Sequence, residues 1–243
     1  MFEEVGIIIQ ARMGSKRLPG KSMFDLAGAP LVGRILERIK RCRAVNKIIL
    51  AIPDKKEDDI LNSLAKKYGV SVYRGSENNL LERYYKAALK YKIKTIVRFP
   101  ADNPTPEPAE IDKIIKHHLT SNQFGFSSNI CSFKGSGYPD GIGAEVFGFL
   151  LLEDLYFDKH KCISYEHIHK NFINYEKSEA IDEDWCPIST IICPKRFARP
   201  DLVLDVNYHN QYQYMKSLYE TLYKRSKYFT IEDIIEWNDS LEK

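Results

Sequence analysis

The sequence predicts an α/β fold in three layers, a doubly wound and mostly parallel sheet between helices, with an irregular C-terminal half. Three observations predict it: short unbroken apolar runs rich in β-branched residues, amphipathic helical windows between them, and a change of rhythm after residue 119. Unbroken apolar runs are typical of strands buried on both faces of a parallel sheet. The 243 residues suit a single domain, with residues 1–119 as one half and 120–243 as the other.

The elements follow in order. In the first half, strands are predicted at Val5–Ile9, Lys47–Ile52, Val70–Tyr73 and Thr95–Phe99. The intervening windows place their apolar residues on one face and predict helices at Leu31–Arg41, Asp58–Tyr68 and Leu80–Tyr91. Residues 120–145 are rich in Ser, Gly and Asn and predict loops and short strands. The remaining predictions are strands at Ala144–Phe147 and Ile188–Ile192, helices at Leu150–Tyr156 and Tyr165–Asn171, and a helical tail over residues 207–240.

Composition excludes several classes of protein. The chain has 36 Lys and Arg against 33 Asp and Glu, a net charge of +3, which is too even for a dedicated nucleic-acid-binding protein. Its five cysteines include no Cys-x-x-Cys pair, which argues against a disulfide framework and a zinc site. The apolar runs are too short for a signal peptide or a membrane span. We therefore expect a cytoplasmic protein with neither nucleic acid nor membrane as a partner.

The basic segment QARMGSKRLPGKS, residues 10–22, follows the first predicted strand. Its Gly20-Lys21-Ser22 ending is shared with the Walker A motif, which needs a further glycine five positions before Gly20. Ser15 stands there instead, and Pro19 removes a backbone N–H from the would-be phosphate cradle. The segment is therefore not a P-loop.

The same segment has the composition of a different phosphate site. Sheets of this class bind ligands at the carboxyl ends of their strands, where this segment begins. Positive charges, a hydroxyl and small residues that allow a ligand to approach the backbone come together here: Ala11, Arg12, Gly14, Ser15, Lys16, Arg17 and Lys21. A triphosphate needs such a mixture of cations and backbone donors. Phosphate binding is therefore favoured over the alternative, a solvated basic loop.

Two aspartates follow predicted apolar segments. Asp102, in RFPADNP, comes directly after the strand at Thr95–Phe99 and is placed either to bind Mg²⁺ or to form an Asp-Asn-Pro turn. Asp205, in LVLDVNYHN, precedes the helical tail. The simpler interpretation of Asp205 is an acidic residue that stabilises the N-terminus of that helix. The residues alone leave both alternatives open.

The opening IIIQARMGSKRLPGKSMFDLAGAPLVGRILERI, residues 7–39, resembles that of the spore-coat polysaccharide cytidylyltransferases and their relatives, the CMP-Kdo synthetases. The resemblance continues in order through YRGSENNLLERYYKAA, VRFPADNPTPEP, GYPDGIGAEVF, YEHI and LVLDVNYHNQYQYM, and so spans nearly the whole chain. It implies a nucleotide-diphospho-sugar transferase fold, which is GT-A-like and Rossmann-like. It also implies dimers, which are common among the relatives, although the sequence does not fix the oligomeric state.

The resemblance implies roles for individual residues. Asp102 and Asp205 become the carboxylates that hold Mg²⁺, and together with Arg12 and Lys21 they form the implied catalytic set. The implied CTP-binding residues are Ala11, Arg12, Gly14, Ser15, Arg17, Lys21, Arg74, Gly75, Ser76, Arg98 and Asp102. Ser76 also has a competing interpretation, in which Ser76 or Asn78 caps the following helix.

On the acceptor side the resemblance implies a small anionic acceptor contacted by Tyr138, Asp140, Glu145, Glu166 and His167. His167 and Lys170, three apart, would share a helix face toward such a ligand. The chain departs from the family pattern at Gly143, where an acidic residue is usual, and after Asp205, where Val-Asn-Tyr-His stands in place of Thr-x-Glu-Asp. The identity of the acceptor is therefore not fixed.

The implied reaction is transfer of CMP from CTP to an acidic sugar, phosphorylated or phosphonate acceptor with release of pyrophosphate, in the biosynthesis of surface polysaccharides or glycoconjugates. The alternatives are a sugar-1-phosphate nucleotidyltransferase that uses UTP or dTTP, and a non-catalytic nucleotide-binding regulator. A glycosyltransferase is disfavoured, because Ala101-Asp102-Asn103 lacks the paired Asp-x-Asp that such enzymes use. The tyrosines of the tail are interpreted as packing residues.

Overall fold

The computed structural model describes residues 3–241, so the first two and last two residues of the predicted domain 1–243 lie outside the described range. The strands are β1 (Glu3–Gln10), β2 (Asp25–Leu26), β3 (Ala29–Pro30), β4 (Lys47–Pro53), β5 (Ser71–Gly75), β6 (Ile93–Pro100), β7 (Phe126–Ser128), β8 (Glu145–Gly148), β9 (Ile173–Asn174), β10 (Glu179–Ala180) and β11 (Ile188–Ser189). The α-helices are α1 (Leu31–Ile39), α2 (Asp59–Tyr68), α3 (Leu80–Tyr91), α4 (Pro108–Ser121), α5 (Phe149–Tyr156), α6 (His209–Arg225) and α7 (Ile231–Ser240).

Seven strands form the central sheet in the order β11-β7-β8-β6-β1-β4-β5. All of their pairings are parallel except those of β8, which runs antiparallel to both β6 and β7. The chain leaves β1 toward β4 and β5 and then returns to the other side of β1 to form β6. A reversal of this kind opens a crevice at the carboxyl ends of the strands, and this is where α/β sheets bind ligands.

Alternate residues of β1 enter two separate cores, because successive side chains of a strand point to opposite faces. Ile7 and Ile9 belong to the cluster that packs under α1, α2, α4, α6 and α7, whereas Ile8 belongs to the cluster under α3 and α5. The sheet thus lies between two helical layers. The predicted three-layer, mostly parallel α/β architecture is confirmed.

Two predicted elements of the second half are wrong. The helix expected at Tyr165–Asn171 is only a 3-10 turn at Ile168–Asn171. Side chains compete with helix formation there: the Asn171 side chain accepts from the backbone N–H groups of Ile163 and Ser164, and Ser164 Oγ accepts from that of His167. The strand expected at Ile188–Ile192 ends at Ser189, because its partner β7 is only three residues long.

Other differences are smaller. The sequence analysis assigned no element to residues 108–121, which form α4 with Pro108 in its first turn. The helical tail is divided into α6 and α7, and a reciprocal capping box between Thr230 and Asp233 starts the second helix. All five cysteines are free thiols. Within residues 3–241, no helix combines the length and the apolarity that crossing a bilayer requires.

Candidate active site

A cleft of about 710 Å³ lies at the carboxyl ends of β1 and β6. It brings together twelve of the residues proposed from the sequence: Ala11, Arg12, Ser15, Arg17, Lys21, Arg98, Asp102, Asp140, Glu145, Glu166, His167 and Asp205. These residues come from segments as far apart as β1 and the turn before α6. Their convergence makes this cleft the candidate active site.

The basic segment after β1 is fixed by hydrogen bonds between its own residues and by one to Asp58, directly before α2. The backbone N–H of Met13 donates to Asp58 Oδ1 at 2.7 Å, and Ser22 Oγ donates to the carbonyl of Arg12 at 3.0 Å. Ser15 Oγ accepts from the N–H of Leu18 at 3.3 Å, so this hydroxyl shapes the loop from within. Asp58 is completely buried, and burial raises the pKa of its carboxyl. No sequence motif marks this anchor.

Lys21 joins the segment to the two aspartate-bearing turns. Its Nζ donates to Asp102 Oδ2 at 3.0 Å, to the carbonyl of Val206 at 2.8 Å and to Asn207 Oδ1 at 3.2 Å. Arg17 Nη2 donates to the same Asn207 Oδ1 at 2.6 Å. Asn207 is thus a shared contact of both cations, and the sequence analysis missed it. Near the start of the segment, Arg12 forms an ion pair with Glu166, with 3.3 Å between Nη2 and Oε1.

Three carboxylates lie close enough to influence one another. Burial, followed by the charge of Asp102, raises the pKa of Asp205. Burial also raises the pKa of Asp140 to about 7, with further contributions from the charges of Asp205, Asp102 and Glu145. Asp205 is oriented by Gln211, whose Nε2 donates to Asp205 Oδ1 at 2.8 Å, and by the side chain of Asn207. Carboxylates that repel one another in this way favour a cation between them.

The donor set fits a hard divalent cation. Asp102 and Asp205 present carboxylate oxygens from neighbouring turns, and such oxygens are the ligands that Mg²⁺ prefers. Among the described residues, no group of three or more His, Cys, Asp or Glu side chains is arranged to hold a metal ion. A site with two protein carboxylates suits Mg²⁺, which usually keeps waters and is shared with substrate phosphates.

Arg98 and Glu145, predicted to bind different ligands, form one buried ion pair. They face each other across β6 and β8, and Arg98 Nη1 donates to Glu145 Oε2. Tyr175 completes the group by donating to Glu145 Oε1 at 2.9 Å. Burial opposes both charges, yet the attraction between them lowers the pKa of Glu145 and raises that of Arg98. The pair forms a neutral part of the cleft wall.

The histidines of YEHIHK are placed differently from the prediction. His167 and His169 line the cleft, whereas Lys170 does not, so the expected shared helix face of His167 and Lys170 is wrong. Burial lowers the pKa of His169 to about 4, and its Nδ1 is buried without a hydrogen-bond partner. The neutral ring of His169 is thus a part of the cleft wall that no sequence motif marked.

Five of the proposed binding residues lie outside the cleft lining: Gly14, Arg74, Gly75, Ser76 and Tyr138. Arg74 instead pairs with Asp54 at 2.8 Å and with Asp59 at 2.6 Å. Tyr138 is fully buried and donates to Glu110 Oε2 at 2.7 Å.

The remaining three have structural contacts. Gly14 lies beside Glu57, whose Oε1 would be 3.3 Å from an added Cβ. At Gly75 such a Cβ would lie 2.7 Å from the ring of Tyr73, so the glycine permits close packing. Ser76 Oγ accepts from the N–H of Asn79, and it is Asn79, not Ser76 or Asn78, that caps α3.

Gly143, where the family pattern has an acidic residue, is held against the backbone of Asn129. A Cβ at position 143 would lie 2.1 Å from the Asn129 carbonyl oxygen. A side chain cannot be accommodated there without moving the chain. The glycine is therefore explained by packing in this protein.

The chain is similar in sequence to known proteins. Residues 6–235 match the family model described as cytidylyltransferase. The chain is 30% identical to the spore coat polysaccharide biosynthesis protein SpsF of Bacillus subtilis, over 90% of this chain and 88% of that protein. It is 37% identical to the protein MJ1063 of Methanocaldococcus jannaschii over 66% of this chain and 63% of that protein.

Matches to 3-deoxy-manno-octulosonate cytidylyltransferases are shorter. The one from Anaeromyxobacter sp. strain K is 34% identical over 47% of each chain, so only about half the length of that enzyme is matched.

Solved structures share the fold. A cytidylyltransferase from Leptospira borgpetersenii superimposes with a TM-score of 0.78 at 29% identity, covering 97% of this chain and 95% of that one. Rv0371c of Mycobacterium tuberculosis, solved as a complex with manganese, has a TM-score of 0.60 at 16% identity, covering 88% and 98% of the two chains. The match of the family model over nearly the whole chain, together with the SpsF relative, establishes that this chain belongs to the cytidylyltransferase family of CTP-dependent nucleotidyltransferases.

Proposed function

We propose that this protein transfers CMP from CTP to a small acceptor at the cleft, and that residues 1–243 act as a single domain. The observation that carries the proposal is the set of contacts around Lys21, which links the basic segment to the turns of Asp102 and Asp205. Cations and carboxylates are there combined within one cleft, as a triphosphate with a divalent cation requires.

In the proposed reaction, an acceptor oxygen attacks the α-phosphorus of CTP, and the bond from that phosphorus to the oxygen bridging to the β-phosphate breaks. The electron pair leaves with pyrophosphate. Arg12, Arg17 and Lys21 stabilise the charge that develops on this leaving group, and Ser15 and Ala11 keep the loop close to it. On nucleotide binding, Lys21 exchanges its contact with Asp102 for phosphate oxygens. Direct transfer needs no covalent enzyme intermediate, and positioning supplies much of the acceleration.

Asp102 and Asp205 are the residues proposed to hold Mg²⁺, which would neutralise charge on the triphosphate. Two properties of this chain support the assignment: the charge of Asp102 contributes to raising the pKa of Asp205, and Asn207 and Gln211 orient Asp205 by hydrogen bonds. The manganese complex of Rv0371c shows that a protein with the same fold binds a divalent cation, which is consistent with the proposal.

The acceptor is proposed to occupy the side of the cleft lined by Asp140, Glu166, His167 and His169. We propose an acidic sugar or a phosphorylated or phosphonate compound used for surface polysaccharide or glycoconjugate synthesis, as the name of the SpsF relative suggests. On nucleotide binding, Arg12 exchanges its contact with Glu166 for phosphate oxygens. Cytoplasmic location and a homodimer are part of the same proposal.

Pyrophosphate release tests the function. The protein is incubated with Mg²⁺ and CTP, UTP, dTTP or ATP in turn, against a panel of 2-keto sugar acids, phosphosugars, polyol phosphates and phosphonates. We expect release with CTP and one class of acceptor. A preference for UTP or dTTP supports the sugar-1-phosphate alternative, and CTP binding without release under every acceptor supports the regulator.

Lys21→Met tests the role of Lys21 in phosphate binding separately from any role in folding. The side chain keeps its apolar stem and loses its charge, so we expect weaker binding of both CTP and pyrophosphate with an unchanged circular dichroism spectrum. Unchanged affinity for pyrophosphate contradicts the proposed role of Lys21.

A further inference from the structure

Arg83 is a buried cation in the cleft that no contact within the described residues explains. It lies in the first turns of α3, only 4% of the residue is exposed, and it lines the cleft beside Glu77 and Leu80. Its Nε and Nη1 are buried without a hydrogen-bond partner. The other arginines of the cleft each have a polar partner: Arg12 pairs with Glu166, Arg17 donates to Asn207, and Arg98 pairs with Glu145 although its Nε is also unpartnered.

A buried guanidinium without an acceptor is costly, since desolvation is not offset by a partner. Burial lowers the pKa of Arg83 to about 10, in agreement with this incomplete compensation. The nearest anionic groups act only at a distance: no described carboxylate forms an ion pair with it, and even Asp58 keeps its own Oδ2 without a partner. Such an arrangement points to a ligand that brings hydrogen-bond acceptors.

The position of Arg83 in the sheet indicates which part of a nucleotide it meets. Its Cγ packs against Gly75, at the carboxyl end of β5, only 3.4 Å from where a Cβ of that residue would lie. The basic segment follows β1, and Asp102 follows β6, on the other side of β1. With the triphosphate at the basic segment and the acceptor toward β6 and β8, the β5 side is left for the nucleoside.

We propose that Arg83 binds the cytosine base and is the residue that selects CTP, by donating from its guanidinium to O2 and N3. Cytosine presents acceptors at both positions, whereas uracil carries a hydrogen on N3 that would face a donor. A guanidinium has several N–H donors in a fixed fork, and it pairs well with two adjacent acceptors. This inference rests on the proposed use of CTP and adds Arg83 to the CTP-binding residues that the resemblance implies.

The test uses Arg83→Met and Arg83→Lys, with Arg196→Gln, outside the cleft lining, as the control. Isothermal titration calorimetry in Mg²⁺ measures the affinities for CTP, UTP and pyrophosphate. For Arg83→Met we expect CTP affinity to fall roughly 10- to 100-fold, the size of a good bidentate contact to a base. Affinity for pyrophosphate should stay unchanged, and the preference for CTP over UTP should disappear. Arg83→Lys keeps the charge but should not restore that preference.

The outcomes are distinct. Equal losses for CTP, UTP and pyrophosphate in Arg83→Met mean a phosphate contact and overturn the inference, as does a retained preference for CTP. If the wild-type protein binds UTP as tightly as CTP, the proposed function fails as well. Thermal unfolding supplies an independent readout: the ligand-free Arg83→Met protein should unfold at a higher temperature than wild type, because an unpaired buried charge is removed. A lower temperature contradicts the premise that Arg83 lacks a partner.

Discussion

The side of the cleft proposed to bind the nucleotide (the nucleotide side) and the side proposed to bind the acceptor (the acceptor side) are built in different ways. On the nucleotide side, one continuous segment after β1 carries most of the cations, and long regular elements support it. On the acceptor side, strands of two to four residues and a 3-10 turn are held by side chains that meet across long stretches of sequence, such as Arg98, Glu145 and Tyr175. Chemistry carried by a contiguous segment can be predicted from sequence, whereas chemistry assembled from distant side chains depends on the fold.

The largest expected effect is a loss of stability when the buried ion pair on the acceptor side is broken. Glu145→Gln leaves the guanidinium of Arg98 buried without its counter-charge, and breaking a buried ion pair in this way costs about 3–5 kcal/mol. The free energy of unfolding, measured by urea denaturation, should fall by that amount. The double variant Arg98→Met/Glu145→Met should recover much of the loss, because no unpaired charge remains. A single variant as stable as wild type would falsify the view that this pair organises the acceptor side.

The second largest effect is a loss of turnover from a change on the nucleotide side that leaves the protein folded. Asp102→Asn removes a proposed cation ligand and the partner of Lys21, so we expect turnover to fall by roughly 10²–10³, as when one preorganised electrostatic contact is removed. The rate of pyrophosphate release measures it, with thermal unfolding as the control for folding. Full activity would contradict the metal role of Asp102.

A third prediction concerns how Asp140, on the acceptor side, makes stability depend on pH. Because the pKa of Asp140 is raised to about 7 from 3.8, the folded protein holds this proton more tightly than the unfolded chain does. Its contribution to stability is complete below about pH 4 and is lost as the pH rises through 7. Asp140→Asn should therefore gain in unfolding temperature relative to wild type between pH 5 and pH 8, measured with EDTA present. A difference that does not vary with pH contradicts the shift.

The smallest expected effect concerns a residue that the resemblance assigns to the nucleotide side. Arg74→Gln removes two partly exposed ion pairs, to Asp54 and Asp59, and should change the free energy of unfolding by no more than about 1 kcal/mol. CTP affinity should not change, because Arg74 lies outside the cleft lining. A substantial loss of CTP affinity would return Arg74 to the binding site.

The sequence predicted the sheet and most of the basic segment because both leave local signals. The apolar runs of β1, β4 and β6 define buried strands, and a cluster of cations after β1 indicates an anion site. Asp58 and Asn207 gave no such signal, since each acts through one or two hydrogen bonds to residues far away in sequence. Tyr138 and Arg74 matched family motifs, but packing gives the first a buried partner and surface acids hold the second.

The fate of each phosphate of CTP distinguishes transfer of CMP from other reactions of the nucleotide. With CTP labelled at the α-phosphorus and an acceptor that supports turnover, products are separated and identified by mass spectrometry. The mechanism predicts that the α-label is recovered in a CMP-linked acceptor and that the β- and γ-phosphates leave together as pyrophosphate. Transfer of the γ-phosphate to the acceptor, or release of free CMP with no linked product, would contradict it.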